Sequence, residues 1–140
     1  MPKRGKEMTF AGVNYIAVVI AALAGFGTGA AWYMILGRYW LDALCKNKED
    51  MKPSATPFLI SIVANLVMAF MLAGVIGHMG EVTTKIGVIS GALIWLGFVI
   101  TTMGVNHAFS GAKTSLTLID GGHWLAVLLV MGAVIGTFGV

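Results

Sequence analysis

Hydrophobic residues gather in four long stretches, and polar residues fall almost entirely between them. The stretches cover residues 13–36, 57–77, 86–109 and 119–140. Each has about 20 residues or more, and about 20 residues at a helical rise of 1.5 Å cross the hydrocarbon core of a bilayer. Because a backbone inside lipid must satisfy its own hydrogen bonds, the pattern predicts four transmembrane α-helices. They form a single membrane domain, residues 13–140, after an N-terminal tail, residues 1–12.

The links between the stretches predict how the helices are arranged. His78–Lys85 and Ser110–Thr117 are short, and short links place sequential helices side by side in opposite directions. The first link, residues 37–56, is longer and polar. In its first half, the residues spaced for one side of a helix are Tyr39, Trp40, Ala43 and Leu44. The expected fold is therefore all-α: an antiparallel bundle of four transmembrane helices, with a short interfacial helix after the first span.

Small residues recur at helical spacing within the predicted helices. Lipid provides no hydrophobic drive between helices, so close backbone approach and dispersion must hold the bundle together. The glycines predicted to form packing surfaces are Gly25, Gly29, Gly87, Gly91, Gly97, Gly132 and Gly136. The pattern leaves open whether these surfaces face helices of the same chain or a second copy. We expect a homo-oligomer.

Composition supports the membrane interpretation and excludes several functions. The chain is 58% hydrophobic and 11% charged, whereas soluble proteins have about 45–50% apolar and about 25% charged residues. Its net charge of +3 comes from Lys and Arg beside the apolar stretches, which is typical of membrane proteins and not of nucleic-acid binding. No Ser-His-Asp or Cys-His arrangement indicates an enzyme. The single cysteine, Cys45, cannot form an intramolecular disulfide.

Positive charge is divided almost evenly between the two predicted sides of the membrane. One side carries Lys3, Arg4, Lys6 and Lys85, and the other carries Arg38, Lys46, Lys48, Lys52 and Lys113. Counting from Met8 makes the comparison one against five. Because cytoplasmic loops are enriched in Lys and Arg, that count favours a cytoplasmic first link with both termini outside.

Three polar side chains form the candidate site. His107 lies near the end of the third stretch, while Asp120 and His123 lie three residues apart at the start of the fourth. Two imidazoles and a carboxylate can bind a divalent transition metal. The preferred interpretation needs no metal: Asp120, before two glycines, is the expected helix N-cap, and the histidines hydrogen-bond near the interface. No other cofactor is expected.

Four segments resemble a known family. They are NYIAVVIAAL (residues 14–23), GAAWY (29–33), TTMGVNH (101–107) and LIDGGHW (118–124). They are similar to the domain of unknown function 1761 family of small bacterial membrane proteins, over about residues 14–136. The resemblance implies a four-helix protein of the bacterial cytoplasmic membrane. It brings no established activity and no catalytic or cofactor residues.

Three functional hypotheses follow. The first is a non-enzymatic protein that associates with itself or a partner through its glycine surfaces. The second is a small transporter, similar to small multidrug transporters in size and helix number. Those transporters use a glutamate in the first helix, and residues 13–36 contain no acidic residue. The third is a metal- or ligand-binding protein with its site at the end that carries His107, Asp120 and His123.

Overall fold

The structure, a computed structural model, describes residues 12–140. Most of these residues lie in four long helices. They are α1 (Tyr15–Leu44), α2 (Thr56–His78), α3 (Thr84–Ser110) and α4 (Thr114–Phe138), and each is long and apolar enough to cross a membrane. Within residues 12–140 there is no strand, and the longest link holds one short 3-10 helix, Lys48–Asp50. The all-α prediction is confirmed. The predicted tail lies outside the described residues except for Gly12, as do Lys3, Arg4 and Lys6.

Helix α1 is longer than the first apolar stretch. It begins after Asn14, whose side chain accepts a hydrogen bond from the Ala17 amide at 3.1 Å. It continues unbroken through Arg38 to Leu44 and ends at Cys45, which has a left-handed φ of 55°. The segment that we expected to form a separate interfacial helix is therefore the last part of α1. A charged residue marks the end of a hydrophobic stretch, whereas this helix continues past Arg38 and ends where Cys45 adopts the left-handed conformation common at helix C-termini.

Helix α4 also begins earlier than its apolar stretch. Its N-cap is Lys113, so the prediction that Asp120 caps this helix is wrong. Gly121 and Gly122 lie inside the helix, where their small size gives room to neighbouring side chains. A Cβ on Gly121 would lie 2.5 Å from Ile100 Cδ1, and one on Gly122 would lie 2.8 Å from Trp32 Cζ2. These glycines serve packing and do not mark a helix start.

Helix α3 contains a π-helical segment, Trp95–Val99, between Thr84–Ile94 and Ile100–Ser110. Such a segment adds a residue to the helical turn and changes the direction of the side chains that follow it. Here the Trp95 indole N–H donates to the Gly121 carbonyl at 2.7 Å. The hydrophobic pattern gave no indication of this segment, because an added residue changes neither length nor composition.

Helix α4 packs against α3 backbone to backbone. A Cβ on Gly87 would collide with the carbonyl of Gly132, and a Cβ on Gly132 would collide with the carbonyl of Gly87. One turn away in each direction, Gly91 lies against the Leu128 carbonyl and Gly136 against the Thr83 carbonyl. Residue numbers rise along α3 as they fall along α4, so the two helices run in opposite directions.

The buried core lies where α2 and α4 meet the other helices. Its largest fully buried side chains are Leu72, Ile76, Val127, Met131 and Ile135. Many large apolar side chains instead face outwards, including Ile16, Leu23 and Phe98. An outer surface of this kind suits a multi-pass membrane protein, because lipid and not water would surround it.

Candidate functional site

The three predicted site residues are not brought together as metal ligands. His107 Nδ1 is hydrogen-bonded to Thr117 Oγ1 at 2.8 Å, beside the link between α3 and α4. Asp120 and His123 instead contact α1, where both meet Tyr33. Among residues 12–140, no group of three or more His, Cys, Asp and Glu is placed to hold a metal ion.

Two consecutive aromatic residues of α1 form polar contacts with α4. The Trp32 indole N–H donates to the Ile119 carbonyl at 3.1 Å. The Tyr33 hydroxyl donates to Asp120 Oδ1 at 2.7 Å. Asp120 therefore has a hydrogen-bond partner on a different helix, and this pair fixes the rotation of α1 relative to α4.

The imidazole of His123 is enclosed by rings and by a glycine. Its ring centroid lies 4.9 Å from that of Tyr33 and 4.5 Å from that of Trp124. His123 is only 8% exposed, and a Cβ on Gly29 would lie 2.7 Å from its Nε2. Its Nδ1 is buried and has no hydrogen-bond partner among residues 12–140.

Asn65 is a second buried polar side chain with an unpaired atom. It is 3% exposed, and its Nδ2 donates to the Ser61 carbonyl of its own helix at 2.8 Å. A carbonyl can only accept, so the amide orientation is determined and Oδ1 points the other way, towards Gly25. Oδ1 is buried, and no group in the described part of the chain donates to it. Among the described residues, the Asn65 side chain has no hydrogen bond to another helix.

A cavity of about 570 Å³ lies between α1, α2 and α4, and both of these side chains line it. We call it the α1–α2–α4 cavity. Its glycine and polar lining consists of Gly25, Gly29, Tyr33, Ser61, Asn65 and His123. Its apolar lining consists of Phe26, Ala30, Met34, Trp40, Pro57 and Phe58. Apolar walls with a few convergent polar groups are typical of small-molecule sites.

Glycines of α1 make room for these polar groups. Gly25 lies against Asn65 and Met131, and Gly29 lies against His123, so the two glycines admit side chains from α2 and α4 one turn apart. Of the seven glycines predicted to form packing surfaces, six lie against another helix of the same chain. Gly97 is the exception, because, outside its own helical turn, no atom of residues 12–140 lies within 4 Å of a Cβ placed on it.

The sequence identifies the polar residues of this site but not how they come together. His123 and Asp120 stand out as ionisable residues in an apolar stretch, and Asn65 is the one amide in residues 57–77. Sequence spacing does not show that α1 connects these side chains, because Asn65 lies on α2 whereas Asp120 and His123 lie on α4. Asn65 and His123 both contact the Gly25–Gly29 segment of α1, and this is seen only in the three-dimensional structure.

Comparisons with known proteins place the chain in a family without assigning an activity. No curated protein and no solved structure matches it significantly. The family model described as "Protein of unknown function (DUF1761)" matches residues 16–136. The match covers most of the chain and confirms the resemblance seen in four of its segments. The chain belongs to the DUF1761 family of proteins of unknown function.

Proposed function

We propose that this protein is a non-enzymatic membrane protein that binds a small lipophilic molecule in the α1–α2–α4 cavity. In this proposal the four helices cross the bilayer as an antiparallel bundle. The observation that carries it is that two side chains lining this cavity, Asn65 and His123, each have a buried polar atom without a hydrogen-bond partner in residues 12–140, namely Oδ1 and Nδ1. Buried polar atoms are nearly always hydrogen-bonded, and a ligand with a hydrogen-bond donor would complete Asn65.

Stability alone gives no reason for an asparagine at this position. A buried acceptor without a donor costs about 1–3 kcal/mol, whereas an apolar side chain of similar shape carries no such cost. Leucine would satisfy the packing beside Gly25 without that penalty. Asn65 is therefore better explained by a bound molecule than by the fold.

The contacts of the glycines weigh against the hypothesis of self-association through them. Gly25, Gly29 and the glycines between α3 and α4 are already occupied by helices of the same chain. A homo-oligomer would have to use another surface, such as the face of α3 around Gly97, which has open space beside it. Ligand binding has two unpaired atoms and a cavity in its favour, so we rank it first.

Replacing Asn65 with leucine is expected to weaken ligand binding about tenfold, as the loss of one hydrogen bond would, without loss of stability. The variant removes the unpaired acceptor, so its free energy of unfolding should match or exceed that of the wild type. Native mass spectrometry of the purified protein in mild detergent measures binding as a small-molecule adduct. Asn106→Leu is the matched control, because Asn106 is exposed on α3 and does not line this cavity. A wild type without an adduct, or an Asn65→Leu variant that binds it with the affinity of the wild type, would contradict the proposal.

We also propose that the protein lies in a bacterial cytoplasmic membrane with both termini outside. Arg38, Lys46, Lys48 and Lys52 lie at the end of α1 and in the following link. Lys113 joins them there, because its Nζ donates to the Asp42 carbonyl at 3.2 Å. Alkaline phosphatase fused after Val140 should be active, since it requires export. A fluorescent protein fused there should be dark, and the reverse pair of results would overturn this orientation.

A further inference from the structure

The α1–α2–α4 cavity adjoins a second space that is rich in positive charge. This space, which we call the basic pocket, has a volume of about 680 Å³ and lies at the C-terminal end of α1. Its charged lining comprises Arg38, Asp42, Lys46 and Lys48. Tyr33 and Trp40 line both spaces, and their rings are in edge contact with centroids 5.6 Å apart. The two spaces therefore meet at one pair of aromatic side chains.

Positive charge in the basic pocket is not neutralised by the described part of the chain. Its lining has three cationic side chains and one carboxylate. Within residues 12–140, the side chains of Arg38, Lys46 and Lys48 have no ion-pair or hydrogen-bond partner. Cationic side chains at the end of a membrane helix attract anionic headgroups, since water is partly excluded there and the attraction is less screened.

The spacing of the two sites selects the shape of a ligand that reaches both. Thirteen residues separate Gly25, beside Asn65, from Arg38 along α1, which corresponds to roughly 20 Å at a helical rise of 1.5 Å per residue. Between the two ends the lining is mainly apolar, with Phe26, Met34 and Phe58 beside the polar side chains of Tyr33 and His123. Compact ring systems cannot span this distance, whereas a single extended hydrocarbon chain can.

We propose that the ligand is a single-chain amphiphile with an anionic head and a hydroxyl near the far end of its chain. The head binds Arg38, Lys46 and Lys48 in the basic pocket, and the chain passes Tyr33 and Trp40 into the cavity. There the hydroxyl donates to Asn65 Oδ1, the acceptor that has no donor within the described residues. This inference rests on the proposed function, because it names the class of molecule that the same cavity takes.

Binding of four probes to the purified protein in neutral detergent tests each part of this assignment. The probes are ω-hydroxyhexadecanoic acid, hexadecanoic acid, hexadecanol and inorganic phosphate, compared at a mildly alkaline pH where the carboxyl groups are ionised. The hydroxy acid should bind about tenfold more tightly than the plain acid, as expected for one additional hydrogen bond. Both acids should bind more tightly than hexadecanol, and inorganic phosphate should bind most weakly because it lacks the chain.

Variants separate the two ends of the ligand. Asn65→Leu should bring the hydroxy acid down to the affinity of the plain acid. The double variant Arg38→Gln/Lys48→Gln should weaken both acids about tenfold or more and leave hexadecanol unchanged. Lys52→Gln is the matched control, because Lys52 lies in the same link but outside the basic pocket, and it should change nothing.

Several outcomes would overturn the inference. Equal binding of both acids would remove the hydroxyl contact, and equal binding of hexadecanol and the acids would remove the anionic head. Phosphate that binds as tightly as the acids would reduce the basic pocket to a simple anion site. If no probe binds but the wild type carries a native adduct that Asn65→Leu binds more weakly, this inference fails and the proposed function stands. If no adduct exists either, both fail.

Discussion

Replacing Gly87 with alanine should lower the free energy of unfolding by about 1–3 kcal/mol or more, a large effect for one methyl group. The added Cβ would collide with the backbone carbonyl of Gly132, and a backbone cannot rotate away as a side chain can. To make room, α3 and α4 must separate along the contact that also includes Gly91 and Gly136. Equilibrium unfolding in mixed micelles, followed by circular dichroism, measures the loss.

The control for this variant lies on the same helix. Gly104 has nothing within 4 Å of a Cβ placed on it, and alanine favours a helix over glycine by about 1 kcal/mol. Gly104→Ala should therefore be as stable as the wild type or more stable. Equal losses from Gly87→Ala and Gly104→Ala would show that the contact with the Gly132 backbone does not determine the effect, and the α3–α4 packing described above would be wrong.

Removing the Tyr33 hydroxyl is expected to have the second-largest effect on stability. Tyr33→Phe deletes the donor to Asp120 Oδ1, and the partly buried carboxyl then loses the one hydrogen-bond partner found for it in residues 12–140. A buried polar group left without its partner costs about 1–3 kcal/mol. The same unfolding measurement should report a loss in this range.

Two further variants isolate the bond from other effects of the substitution. Tyr39→Phe is the matched control, because Tyr39 is 62% exposed and its hydroxyl has no partner in the described part of the chain. It should change stability by less than about 0.5 kcal/mol. A double-mutant cycle of Tyr33→Phe with Asp120→Ala then measures the coupling between the two side chains. A coupling near zero would refute the role of this contact in joining α1 to α4.

Hydrophobic patterning predicted the number and type of the helices because those depend on length and composition alone. It misplaced two boundaries, the end of α1 and the start of α4. In both, a charged residue was taken as the limit: Arg38 in the first helix and Asp120 in the fourth. In the structure both residues lie inside helices. Arg38 lies in the last turns of α1 and lines the basic pocket, and Asp120 accepts a hydrogen bond from Tyr33.

The candidate site was less predictable for a geometric reason. His123 and Asp120 stand out in the sequence, and both belong to the site. His107 stands out equally but does not belong to it, because its side chain is hydrogen-bonded to Thr117 near the α3–α4 link. Asn65 bonds through Nδ2 to its own helix, and its Oδ1 has no donor among residues 12–140. Whether a polar side chain in a helix meets a partner depends on helix rotation, which the packing of all four helices determines together.

The contacts between α1 and α4 have a consequence for how the protein is made. Trp32 and Tyr33 meet their partners on α4 at a separation of 87 residues along the chain. During synthesis the first three helices are complete before α4 emerges. Until then the indole N–H of Trp32, the Tyr33 hydroxyl and the glycine surface of α3 lack the partners they have in the finished fold. These contacts therefore form only when α4 arrives, and a nascent chain that stops before α4 depends on lipid or on the insertion machinery to cover those surfaces.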